Sequence, residues 1–128
     1  MVLAAANDPV QQLHVAGGWF VVVTNGLVGV WALAAHRWEQ ARSPWLWRAT
    51  AVAQLGIFVE VALGVALIQG RDTEAYGFHM FYGFVAAFTV AIVYSYRAQL
   101  RGHWYLLYGF GGLFLMGLGI RAMVLHPV

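Results

Sequence analysis

The sequence predicts an all-α membrane protein, a bundle of four transmembrane helices running up-down-up-down with both termini on the outer side. Three observations carry that expectation. Of 128 residues, 62% are hydrophobic and 9% charged, whereas soluble domains are roughly half apolar and a quarter charged. Four apolar segments, at about 13–35, 47–69, 75–96 and 104–125, each approach the ~20 helical residues that cross a hydrocarbon layer of ~30 Å. The arginines are also unevenly placed. Arg37, Arg42 and Arg48 surround the first connector and Arg97 and Arg101 the third, leaving Arg71 and Arg121 for the opposite side, and the arginine-rich side of a membrane protein is ordinarily the inner one.

Taken in order, the N-terminal stretch MVLAAANDPVQQ has no basic leader and too short an apolar run for a signal peptide, so it reads as an exposed tail. The first helix ends at the HRWEQARSPWLWR loop, where Pro44 marks a stop and a restart. The second helix gives way to QGRDTEAYG, whose glycine and short polar residues suit an outer turn. The third ends in SYRAQLRGH, and the fourth runs to the C-terminus. Connectors this short leave no room for a soluble domain, a lid or a nucleic-acid module, so residues 1–128 form one integral membrane domain. Trp38, Trp45, Trp47, Trp104, Tyr94, Tyr96 and Tyr105 fall at the arginine-rich boundary, as an interfacial aromatic belt does. Glycine pairs such as Gly56 and Gly64, Gly109 and Gly117, and Gly111 and Gly119 recur along single helices, where small residues let backbones approach.

Composition removes several chemistries. Without cysteine there are no disulfides, thiolate metal sites, iron–sulfur clusters or c-type haem attachments. Without lysine there is no phosphate-binding loop, and no serine is placed for a catalytic triad. The net charge of +2 is carried by arginine at membrane boundaries, which points to topology rather than nucleic acid.

Histidine is the remaining candidate ligand. A faint repeat lays HVAGGWFVVVTNGLVGVW beside HMFYGFVAAFTVAIVYSY, matching His14 with His79 and Gly18 with Gly83. The first and third helices run in the same direction, so both histidines reach a similar depth near the outer face. Two neutral imidazoles from separate helices make a six-coordinate b-type haem centre suited to electron transfer. Gly18 and Gly83, four residues further on, would make room for the porphyrin plane, and Arg71 and Arg121 would pair with its propionates. In general architecture this is similar to small four-helix membrane b cytochromes. Placement of both rings near lipid headgroups accounts for them equally simply. His36 and His103 mark the inner boundary and are read as interfacial. They cannot share a site with His14, which lies 22 residues from His36, or about 33 Å along a helix. His126 would join the outer histidines in a zinc or copper site.

Glu60 is the most costly residue to bury, at ~2.5–3.5 kcal/mol or more near mid-membrane. Counted from the expected helix ends, Asn25 lies within a helical turn of it and is its expected partner, with Thr24 and Gln54 close by. Glu60 serves either as a proton acceptor in a proton or small-solute pathway, an ion ligand or a contact to a quinone or haem edge, or as a partner in an interhelical hydrogen bond that fixes the register.

These features lead to one expectation and two alternatives. The first is a small integral subunit of a plasma (inner) membrane complex engaged in electron transfer, with one b-type haem on His14 and His79 and no independent catalytic activity. The alternatives are a cofactor-free assembly or scaffold subunit, and a pathway protein using Glu60 and Asn25. Its partners are the lipid bilayer and other membrane subunits or further copies of itself.

Overall fold

A computed structural model describes residues 9–69 and 76–125. Four helices account for most of them: α1 (Pro9–Arg37), α2 (Pro44–Leu67), α3 (Gly77–Ser95) and α4 (Trp104–Val124), with 3-10 turns at Glu39–Ala41 and Arg101–His103. All four are long and apolar enough to cross a membrane. Two boundaries differ from expectation. α1 begins at Pro9 rather than near residue 13. α2 begins at Pro44, which opens the helix instead of standing in the loop, while Ser43 caps it by accepting from Trp45 N at 3.2 Å. Proline suits the first helical position because the N–H it lacks would have no intrahelical partner there.

The contacts establish antiparallel neighbours. From one end of α1 to the other, Val22 meets Gly119, Gly26 meets Met116 and Gly29 meets Gly112, numbers rising on one helix as they fall on the other. The α1–α2 pair behaves likewise, with Gly17 against Glu60 and Val21 against Gly56. So does α3–α4, with Tyr82 beside Arg121 and Val93 beside Gly111. α1 packs along α4 and α2, and α3 along α4 and, more thinly, α2. No extended contact joins α1 to α3 or α2 to α4, so those pairs are the diagonals of a square bundle.

Glycine sets the closest approach. A Cβ on Gly29 would lie 2.9 Å from both the Gly109 carbonyl oxygen and Leu113 N, and one on Gly112 would lie 2.8 Å from the Asn25 carbonyl oxygen and from Gly29 Cα. Backbone touches backbone here. Of the glycines expected to pack, Gly56 and Gly64 face α1, Gly111 faces α3 and Gly119 faces α1, but a Cβ on Gly117 would meet nothing within 4 Å.

The surface is as apolar as the interior. Phe78 and Phe88 are 71% and 67% exposed, and Phe81, Phe110 and Phe114 are also more than half exposed, while buried Asn25 and Thr50 are polar. Thr50 returns its hydroxyl to the Leu46 carbonyl at 2.8 Å. Helices apolar all round suit an apolar solvent rather than water.

The two ends of the bundle differ. At the arginine-rich end, Val28, Ala32, Ala35, Leu46 and Ala53 form a closed core, small residues drawing α1 and α2 together. Arg42 closes the end of α1, donating from Nε to the Ala35 carbonyl at 2.7 Å and from Nη2 to that of His36 at 3.3 Å, as cations at helix C-termini do. Trp47 packs against Trp104, Tyr105 and Tyr108, and Arg97 lies over Trp104 and Tyr94. Of the aromatic belt expected from sequence, Trp47, Trp104 and Tyr105 form a packed layer, while Trp38, Trp45, Tyr94 and Tyr96 are exposed. The other end, where α1 and α3 begin, is hollow.

Gly29→Ala or Gly112→Ala should lower stability by about 1–3 kcal/mol, because the added methyl meets backbone that cannot turn aside. Gly117→Ala should be neutral or slightly stabilising, since alanine is the better helix former. Thermal unfolding of the purified protein in one detergent distinguishes the two outcomes.

Candidate functional site

α1 and α3 occupy one diagonal and start at the same end, so residues near their N-termini can meet across the bundle centre. His14 and His79 do so. Their ring centroids are 5.9 Å apart and their planes 85° apart. Each ring is held through Nδ1. His79 Nδ1 donates to the Ala122 carbonyl at 2.7 Å, one of the last carbonyls of α4, which have no intrahelical donor of their own. A carbonyl only accepts, so the hydrogen sits on Nδ1 and the lone pair of the neutral ring sits on Nε2. His14 Nδ1 lies 3.2 Å from Glu60 Oε2, each side chain 13% exposed. That is an ion-pair distance without the alignment of a regular hydrogen bond. A carboxylate or carbonyl behind Nδ1 is the arrangement that orients a histidine for binding a metal through its other nitrogen.

Glycines shape the pocket around the rings. A Cβ on Gly17 would collide with the Glu60 carboxylate, and one on Gly64 would come 3.2 Å from His14 Cε1. Gly17 therefore admits Glu60, and Gly64 makes room on α2 for the Cε1 edge of the His14 ring. Gly18, the expected residue, is one step round the helix, its Cβ position 3.6 Å from Glu60 Oε2 and Met123 Cε. Gly83 borders open space, with nothing within 4 Å of an added Cβ.

Between the four helices lies a cavity of about 390 Å³, within the ~300–1,000 Å³ common to small-molecule and cofactor sites. His14, His79, Glu60, Gly18 and Gly83 line it, Tyr76 and Gln11 stand at its histidine end, and Asn25, Ile57, Ala86 and Leu115 reach its deep end. Arg121 lies at the rim with its guanidinium 5.9 Å from the ring centre of Tyr82, itself a lining residue. Arg71 and His126 lie outside the described residues. His36 and His103 are exposed at the opposite end, His103 bordering a shallow groove between α3 and α4.

Asn25 is not seen hydrogen-bonding to Glu60. Its Nδ2 donates to the Val21 carbonyl at 2.8 Å and, across to α2, the Ala53 carbonyl at 3.2 Å, while Glu60 is opposite Gly17 and beside His14. The reason is the register: α1 starts at Pro9 and α2 ends at Leu67, and Glu60 is level with Gly17, about two turns nearer the N-terminus than Asn25. Thr24 bonds to the Phe20 carbonyl at 2.6 Å, within its own helix. Asn25 thus supplies the interhelical hydrogen bond that was expected of the pair, and Glu60 joins the histidines.

Among the described residues, no three His, Cys, Asp or Glu side chains gather into a metal-ion site. Two neighbouring imidazoles are too few protein ligands for a tetrahedral zinc centre. They suffice where a macrocycle supplies the other four. Comparisons with protein-family models, with curated proteins and with solved structures found no match.

Sequence reasoning missed Gly17, Gly64 as the seat of His14, the Ala122 carbonyl and Tyr82. The adjacent glycines Gly17 and Gly18 one turn beyond His14 were the visible signal. A backbone carbonyl on another helix leaves no trace in a sequence.

In protein labelled with ¹⁵N-histidine, the neutral His79 ring should show a protonated Nδ1 and an unprotonated Nε2. The reverse tautomer would contradict the bond to Ala122.

Proposed function

We propose that the chain is a small integral membrane subunit of an electron-transfer complex that holds one b-type haem between His14 and His79. The observation that carries this reading is the meeting of the two rings across the α1–α3 diagonal, with centroids 5.9 Å apart. Rings this close, brought together from two helices, would hold one haem iron between them. The donor set fits, since both Nδ1 atoms face oxygen and direct each ring's lone pair to Nε2. The open space at Gly83 leaves room for an occupant on the α3 side.

A bound haem would supply one-electron chemistry, with two histidine ligands leaving no open position for oxygen. The chain's own residues do the rest. Glu60 and the Ala122 carbonyl fix the angle of the two rings, Arg121 at the rim offers a cation to a propionate, and the apolar walls exclude water. The fixed rings favour electron transfer, which needs little rearrangement, over a reaction that needs an open coordination site.

A blind-ended cavity supports a resident cofactor better than a pathway. Beyond Asn25 the closed core of Val28, Ala32, Ala35, Leu46 and Ala53 would have to open for a proton or solute to continue. Glu60 accordingly reads as a support for His14. The apolar surface and the four long helices favour residence in a bilayer, and the arginine distribution favours a plasma membrane with both termini outward.

The reduced-minus-oxidised absorption spectrum of protein expressed with added haem should show Soret and α-band changes. His14→Ala and His79→Ala should each abolish the six-coordinate signature, while His36→Ala and His103→Ala should leave it intact. A featureless spectrum from well-folded, haem-supplemented protein would reject the haem reading.

A further inference from the structure

We propose that the groove between α3 and α4 at the arginine-rich end holds one anionic phospholipid, with an acyl chain along Leu106, Leu107, Phe110 and Phe114 and the headgroup at His103 and the nearby Arg101. The site is at the opposite end of the bundle from the paired histidines. It does not depend on haem.

The groove follows from which residues meet along the seam. Val93 is buried against Gly111, 3.2 Å from where a Cβ on that glycine would stand, so the two helices meet there over a low floor. Phe110 and Phe114, one turn apart on the same side of α4, line the groove and remain 62% and 56% exposed. Leu100 and His103 border it at the connector.

Polarity and length say what kind of molecule fits. His103 is exposed at the mouth, and Thr89, the deepest lining residue of α3, already gives its hydroxyl hydrogen to the Val85 carbonyl at 2.8 Å. The lining between them is apolar. An occupant therefore needs one polar end and a hydrocarbon body. From His103 to Phe114 is eleven residues, about 16 Å along a helix, or roughly half of a ~30 Å hydrocarbon layer. That is the depth of one leaflet. A partner's transmembrane helix would call for a face running the full span.

Charge selects the headgroup. The connector from Tyr96 to His103 contains Arg97, Arg101 and His103 and no acid. Arg97 is held over the rings of Tyr94 and Trp104, the latter adjacent to His103, and Arg101 is exposed. Among the described residues the one ion pair joins His14 to Glu60 at the far end, so no carboxylate neutralises these arginines. Basic pockets at the ends of membrane helices receive anionic headgroups, and arginine binds phosphate through charge-assisted hydrogen bonds. A zwitterionic headgroup would bring a second cation to the same place.

The test uses the full-length protein in a neutral detergent and counts bound lipids by native mass spectrometry. The probes are phosphatidylglycerol and phosphatidylcholine with identical chains, and glycerophosphate as a headgroup without chains. One phosphatidylglycerol should bind about tenfold more tightly than phosphatidylcholine, and glycerophosphate should not bind. Arg101→Gln with His103→Ala should erase that preference. Phe110→Ala with Phe114→Ala, which trims exposed side chains and spares the core, should weaken phosphatidylglycerol about fivefold. Arg37→Gln with Arg48→Gln removes charge from the same end but from the opposite α1–α2 edge, and should leave the preference intact. Equal affinity for the two lipids, a preference that survives the Arg101 and His103 variant, or one lost equally in the Arg37 and Arg48 variant would overturn the proposal. So would glycerophosphate binding as tightly as the lipid, or a dimer that lipid fails to displace and the phenylalanine variant dissolves, which would assign the groove to a second copy.

Discussion

The contact between α1 and α4 at Gly29 and Gly112 is the constraint from which the rest of the arrangement follows. With side chains as apolar outside the bundle as inside it, burial alone does not select which helix faces meet, and close packing has to do it. Backbone approach at this point admits a single register, because one residue of slip would carry a side chain into the opposing backbone. That register levels Val22 with Gly119 and brings the end of α4 near the start of α1. The Ala122 carbonyl then stands where His79 can reach it.

α2 is placed by a different device. Its partner is again α1, but the link includes the hydrogen bond from Asn25 to the Ala53 carbonyl, made where water cannot compete. Such bonds are individually modest, about 0.6 kcal/mol on average in membrane helices. Their value here lies in direction. With Asn25 level with Ala53, Glu60 falls opposite Gly17 and beside His14, so a costly acid is accommodated by a notch and a ring.

The bundle is consequently tight at one end and hollow at the other. Alanines in the arginine-rich half let α1 and α2 close on each other, and tryptophan, tyrosine and arginine seal that end. Towards the histidines the thin α2–α3 contact holds the helices apart. The space that results is lined by His14, His79 and Glu60.

The sequence by itself determined the four helices, their order and the apolar character of every face, because hydrophobic runs of spanning length need no partner to be recognised. It also matched His14 with His79, since two helices that start at the same end bring positions near their N-termini to similar depth. Tertiary structure decided the register. The packed register set Glu60 beside His14 and against Gly17, eight residues from Asn25, and only the packed bundle showed that Gly17 and Gly64 make room for that pair. Interhelical distance depends on which small residues coincide across an interface, a relation between two segments that neither segment encodes alone.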